Sequence, residues 1–114
     1  MKKVVFVSGK FTAGNSWERE QNIREAEQVA LEIWRLGAAA ICPHTNTRHF
    51  DGILPAQVFY DGDIAILRKC DAVFMVPGWE NSIGAQDEHA VAYALGIPVF
   101  DNYRRLEDWL KDNK

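Results

Sequence analysis

Apolar positions follow two alternating rhythms along this chain: short, almost unbroken runs, and longer stretches where they recur at helical spacing. Val4 to Ser8, Ala38 to Cys42, Ala72 to Val76 and Ile97 to Phe100 are the short runs, and they read as strands buried on both faces. Between them, Trp17 to Leu36 carries Ile23, Ala26, Ala30, Ile33 and Trp34 at the helical period. Asn15 or Ser16 can cap that helix, Glu18 or Glu20 suits its positive end, and Gly37 stops it. A second helix is expected from Ala56 to Lys69, presenting Val58, Phe59, Ile64 and Leu67, with Gly62 a weak point in its middle. A third begins near Ser82 and ends at Gly96, with Pro98 just beyond. Asp101 or Asn102 caps a last helix whose inner face holds Leu106, Trp109 and Leu110. The stretch PHTNTRHFDGILP after Cys42 is predicted to be a long loop, and loops of that length are often functional.

The alternation of strand and helix predicts an α/β architecture: a flavodoxin-like, three-layer domain spanning residues 1–114, with a four-stranded parallel sheet between helices. The expected strand order is 2-1-3-4, which puts the topological switch point between the first and third strands. The loops after Ser8 and after Val76 then face each other across one crevice, at the carboxyl ends of the strands where ligands bind in such sheets.

Composition narrows the function without naming it. The chain has 114 residues, 47% hydrophobic and 25% charged, which suits one soluble globular domain with a single core. A net charge of −3 gives no footprint for a nucleic acid polymer or an anionic membrane surface. No apolar run approaches the roughly 20 residues of a membrane span. MKKVVFVSGKF has basic residues ahead of apolar ones, but its apolar run stops at Ser8, too early for a signal peptide. Cys42 and Cys70 lie beside apolar segments without metal-ligand spacing, so two packed thiols in a reducing, cytoplasmic setting are expected.

Candidate chemistry gathers after Val76. Glu88 falls about a turn and a half into the helix that begins near Ser82, where the positive helix end would favour its ionised form. A positioned carboxylate can attack an electrophilic sugar carbon, as in retaining glycosidases. A helical Glu is, however, more often solvated, and Asp87 is a rival for the same role. Asp61 or Asp63 could reach the crevice and protonate a leaving group, if burial raises its pKa; plain helix capping is the other reading. Ser8-Gly9-Lys10 and Ser82-Ile83-Gly84 combine hydroxyls, glycines and free amides of the kind that bind phosphate, although such loops are also common turns. His44, His49 and Asp51 offer no third or fourth metal ligand, so no metal is expected, and His44 is read as lining the pocket. Trp79, Phe50 and Phe59 could stack on a base or simply pack, and His89 is expected to face away from Glu88.

From Asp63 to Phe100 the chain resembles the nucleoside 2-deoxyribosyltransferase superfamily, and within it the nucleotide N-glycosidases and an uncharacterised phage and bacterial branch. Asp63 stands eight residues before Asp71, which opens the strand Ala72-Val73-Phe74; Ser82-Ile83-Gly84 precedes Glu88-His89-Ala90-Val91-Ala92 in a helix rich in small residues. Where members often carry a Tyr on the first strand, this chain has Phe6. The resemblance implies cleavage or exchange of the N-glycosidic bond of a nucleoside or nucleoside 5′-monophosphate, without a cofactor. Glu88 would be the nucleophile and Asp63 the acid assisting base departure, while Ser82, Gly84 and Ser8-Gly9-Lys10 would hold a 5′-phosphate. It also implies a homodimer or higher homo-oligomer, an expectation that apolar residues such as Trp79, read as exposed, reinforce. Two other readings stay open: a nucleotide-binding module without catalysis, and an NAD-cleaving glycohydrolase.

Overall fold

Strands β1 (Val4–Ser8), β2 (Ala39–Ile41), β3 (Ala72–Met75) and β4 (Val99–Phe100) form one sheet in the order β2-β1-β3-β4, every neighbouring pair parallel. The computed structural model describes residues 2–47, 49–50 and 52–114. The sequence-predicted order is therefore the observed one. Along β1 and β3 the register pairs Val5 with Ala72 and Ser8 with Met75, so Ser8 sits at the carboxyl end of the central pair.

Helices α1 (Ser16–Arg35) and α5 (Tyr103–Asp112) cover one face of the sheet; α3 (Ala56–Leu67) and α4 (Ile83–Ala94) cover the other. Alternation along β1 makes the division. Val5 and Val7 pack with Ile23's neighbours Ala26, Val29 and Ile33 of α1 and with Leu106 of α5, while Phe6 packs with Leu67, Met75, Ala85 and Ala92. Ser8, two residues after Phe6, points to the α3–α4 side by the same period. The two cysteines are free and buried, Cys42 in one core cluster and Cys70 in the other.

The caps resolve the alternatives in the sequence. Asn15, not Ser16, caps α1, its side chain accepting the Glu18 N–H at 2.8 Å. The Ser82 hydroxyl accepts the Ala85 N–H and starts α4, and Asn102 rather than Asp101 caps α5 through the N–H groups of Arg104 and Arg105. No helix among the described residues is long and apolar enough to cross a membrane.

Three expectations need correction. The segment after Cys42 is not all loop, since Pro43–Asn46 forms a short helix, α2. Proline at its first position supplies the helical φ at no cost in hydrogen bonds, and the Cys42 carbonyl accepts the Thr45 and Asn46 N–H groups. Trp34 is 50% exposed, because Val29 with Ile33 takes the centre of the buried stripe and Trp34 lies at its edge beneath the Lys2 ammonium. Of the residues assigned to the inner face of α3, only Leu67 is buried, and Val58 is largely exposed.

Beyond their last residues, β1 and β3 come unusually close. Val76 N–H donates to the Ser8 carbonyl at 2.8 Å, and a Cβ built on Gly9 would stand 2.8 Å from Cβ of Val76. Only a residue without a side chain fits there, which fixes the floor of the crevice.

Candidate active site

A cavity of about 270 Å³ opens at the carboxyl ends of β1, β2 and β3. Its walls come from four segments: Gly9, Phe11 and Thr12 after β1; Pro43, His44 and Thr47 around α2; Ala56, Phe59, Tyr60 and Asp63 on α3; and Ser82, Gly84, Ala85 and Glu88 at the start of α4. A larger hollow of about 390 Å³ lies at the amino ends of the strands, lined by Lys2, Lys3 and Lys111 with Glu107 as its single carboxylate. The paired acids occupy the smaller one.

Glu88 faces the crevice because of its place on α4. Ala85 and Ala92 are the buried residues of that helix, and Glu88 lies three after the one and four before the other. That spacing puts all three on the sheet-facing side, and the two alanines let the helix approach closely. Asp87, one residue round, is exposed. At the end of β1, fully buried Ser8 meets Glu88: its hydroxyl donates to Glu88 Oε1 at 2.6 Å across 80 residues of sequence.

Burial pushes the Glu88 carboxyl up from 4.5 to about 7; the Ser8 hydroxyl works in the opposite direction, and the charges of Asp63 and Asp87 add to the rise. The helix end does not hold it ionised. Six residues into α4 the dipole has faded, because it acts over the first turn, whereas desolvation acts on the whole carboxyl. Burial likewise raises Asp63 from 3.8 to about 6. The two carboxyls act on one another, so the two values belong to the pair and not to either acid alone. Between these limits the pair shares one proton. A nucleophile and an acid acting together need such a one-proton state, with the proton on the acid.

The surrounding side chains refine this picture. Tyr60 also borders the crevice, its phenol pKa raised by desolvation and by the charges of Asp87, Glu88 and Asp61. His44 is buried, with Nε2 at 2.9 Å from the Lys10 carbonyl and Phe11 edge-on to its ring at 5.4 Å. Burial lowers its pKa against the opposing pull of the Lys10 and Gly9 carbonyls, so His44 is a neutral wall.

The crevice thus gathers Gly9, His44, Asp63, Ser82, Gly84 and Glu88 among the residues singled out from sequence, with Ser8 buried behind Glu88. Two others lie elsewhere. Lys10 points away and borders a separate hollow with Thr12, Trp17 and Glu18. Trp79, in a 3₁₀ turn (Trp79–Asn81), is half-buried and packs on the second core cluster, its ring stacked on His89 at 4.7 Å. Trp79 is therefore not the exposed residue it was read as. Asp51 lies outside the described residues; His49 is exposed, and no group of three His, Cys, Asp or Glu among the described residues could hold a metal ion. Sequence reasoning did not single out Phe11, Thr12, Thr47 and Tyr60. Their signal was positional, since three of them lie in the segments that follow β1 and β2, at the carboxyl edge of the sheet.

The sheet order and layers define a flavodoxin-like, three-layer α/β fold that this chain shares with a solved 2-deoxyribosyltransferase. The solved 2-deoxyribosyltransferase from the psychrotolerant bacterium Bacillus psychrosaccharolyticus superposes with a TM-score of 0.60 over 84% of this chain and 69% of that one, at 21% identity. The chain itself belongs to the DUF4406 family, described as a domain of unknown function, whose match runs over residues 3–101. No curated protein matches the sequence.

Burial of Glu88 has a thermodynamic consequence. Its folded-state pKa is raised, so the stability it contributes is complete below about 4.5 and is lost as pH rises through about 7. Glu88→Gln removes that loss. Its thermal midpoint at pH 8 should exceed the wild-type value by roughly 5 °C, and the two should converge below pH 5. Equal midpoints at pH 8 would show that the carboxyl is not desolvated.

Proposed function

We propose that this crevice cleaves the N-glycosidic bond of a nucleoside or nucleoside 5′-monophosphate, passing the sugar to water or to a second base. The observation that carries the reading is the pair of half-buried carboxyls, Glu88 and Asp63, raised to about 7 and about 6 and lining one cavity. A fold shared with a 2-deoxyribosyltransferase supports it.

In the first step a Glu88 carboxylate oxygen bonds to the anomeric carbon as the carbon–nitrogen bond breaks. The electron pair leaves with the base, and Asp63 delivers its proton to a base nitrogen. In the second step water, or the nitrogen of an incoming base, attacks the same carbon. Asp63, now ionised, takes the proton and the Glu88 carboxylate is released. The aromatic wall of Phe11, Phe59 and Tyr60 suits a planar base, and the amide of Gly84 in the first turn of α4, which has no hydrogen-bond partner among the described residues, suits the 5′ end of the sugar.

The wild type should release free base from at least one compound in a panel of nucleosides, 5′-monophosphates and NAD, followed by chromatography. Glu88→Ala should lower that rate by roughly a thousandfold or more, and Asp63→Asn by roughly a hundredfold. The profile of kcat/KM should peak between about pH 6 and 7. Below that window the nucleophile is protonated, and above it the acid is lost. Release of nicotinamide alone would reassign the substrate to NAD, and a panel left wholly intact would overturn the reading.

The protein also works as a homodimer in this reading. Helix α3 is largely apolar yet buries only Leu67; Val58 is exposed on it, as are Ile53 and Leu54 just before it. Such a surface fits a second copy better than water, and α3 is also a wall of the crevice. Sedimentation velocity should give a dimer, and Val58→Lys a monomer with weakened base release. A monomeric wild type at micromolar concentration would refute this.

A further inference from the structure

The two acids of the crevice are chemically alike, and each is desolvated. Of the two, only Glu88 has a side-chain hydrogen-bond donor on its carboxyl among the described residues. Ser8, with no exposed surface, donates its hydroxyl to Glu88 Oε1 at 2.6 Å, whereas no hydrogen bond to the Asp63 carboxyl exists among the described residues. Ser8 is held rigidly. It ends β1 opposite Met75, its carbonyl accepts the Val76 N–H, and close packing of Gly9 on Val76 prevents the strand end from shifting. Ser8 itself is covered and cannot reach a phosphate in the crevice, a role that the resemblance had implied for it.

We propose that Ser8 is the positioning residue of Glu88: its hydroxyl supports the carboxylate form against desolvation and holds one carboxyl oxygen, so that Oε2 is left for the crevice. The inference rests on the reading of Glu88 as nucleophile. A hydroxyl can donate to a carboxylate at full strength, and such charge-assisted bonds between oxygens fall between about 2.5 and 2.7 Å. Ser8 keeps its proton throughout and exchanges nothing with the substrate. The other groups around Glu88 push against ionisation or are neutral. Asp63 of α3 and Asp87 of α4 oppose it by their charge, Tyr60 of α3 and His44 of α2 are uncharged, and β3 offers only apolar residues. Among the described residues, Ser8 is the contact that favours the carboxylate.

The test uses Ser8→Ala and Ser8→Thr in the full chain, with Ser8→Cys held ready in case the threonine methyl does not fit. Ser8→Ala should lower kcat by roughly tenfold to a hundredfold with KM little changed, and should move the titration of Glu88 to higher pH. Ser8→Thr, which keeps the hydroxyl, should recover most of both. The Glu88 titration is followed by carboxyl-selective carbon NMR, which needs no turnover. If the wild type cleaves nothing, the proposed function fails while the shift in titration still decides the role of Ser8 at Glu88. An unmoved Glu88 titration in Ser8→Ala overturns the inference. So does a fall in kcat that follows only the melting temperature and that neither Ser8→Thr nor Ser8→Cys relieves.

Discussion

The whole site depends on one constraint, the pairing of β1 with β3 at the centre of a parallel sheet. Connections from these two strands leave to opposite sides, so a crevice must open above their carboxyl ends. At that point β1 places Ser8 and Gly9, and β3 hands the chain to a cap that starts α4. The junction brings Ser8 against Glu88, although the two are far apart in sequence. A register slip of one residue would turn Ser8 to the α1 side and leave Glu88 facing an apolar strand end.

Burial of two carboxyls beside that junction is costly for folding and useful for chemistry. Desolvation raises both acids, and their mutual repulsion keeps a proton in the pair near neutrality. A solvated pair would be fully ionised there and would have no acid to offer a leaving base. The small residues Ala85 and Ala92 make the burial possible by drawing α4 onto the sheet.

Much of this was legible in the sequence, and the failures have physical reasons. The four apolar runs and the helical periods between them pointed to a parallel α/β sheet, because buried parallel strands leave near-continuous apolar runs. The order 2-1-3-4, expected by likeness to flavodoxin-like sheets, is the observed one. Period alone could also have separated Glu88 from Asp87, through the flanking Ala85 and Ala92. The short helix Pro43–Asn46 was hidden by loop-like composition, although a proline at a first turn is compatible with a helix. Exposure of Trp34 and of most of α3 could not be read from periodicity, which locates an apolar face but not what covers it. Lys10 and Trp79 turned elsewhere because side-chain directions in loops follow local backbone angles and not a repeat. The ionisation of Glu88 was misjudged for a different reason: the helix dipole is visible in sequence, whereas the stronger effect of burial appears only when the sheet and α3 close over the carboxyl.

The central claim is that Glu88 forms a bond to the sugar, and trapping that bond tests it most directly. A nucleoside bearing fluorine at the 2′ position slows both steps by destabilising the cationic transition state, and with a good leaving base the covalent species accumulates. Peptide mass spectrometry of the wild type after such treatment should show one added sugar on the peptide containing Glu88, and none in Glu88→Gln. Stoichiometric base release without a modified Glu88, or with the sugar on Asp63 or Asp87, would contradict the account.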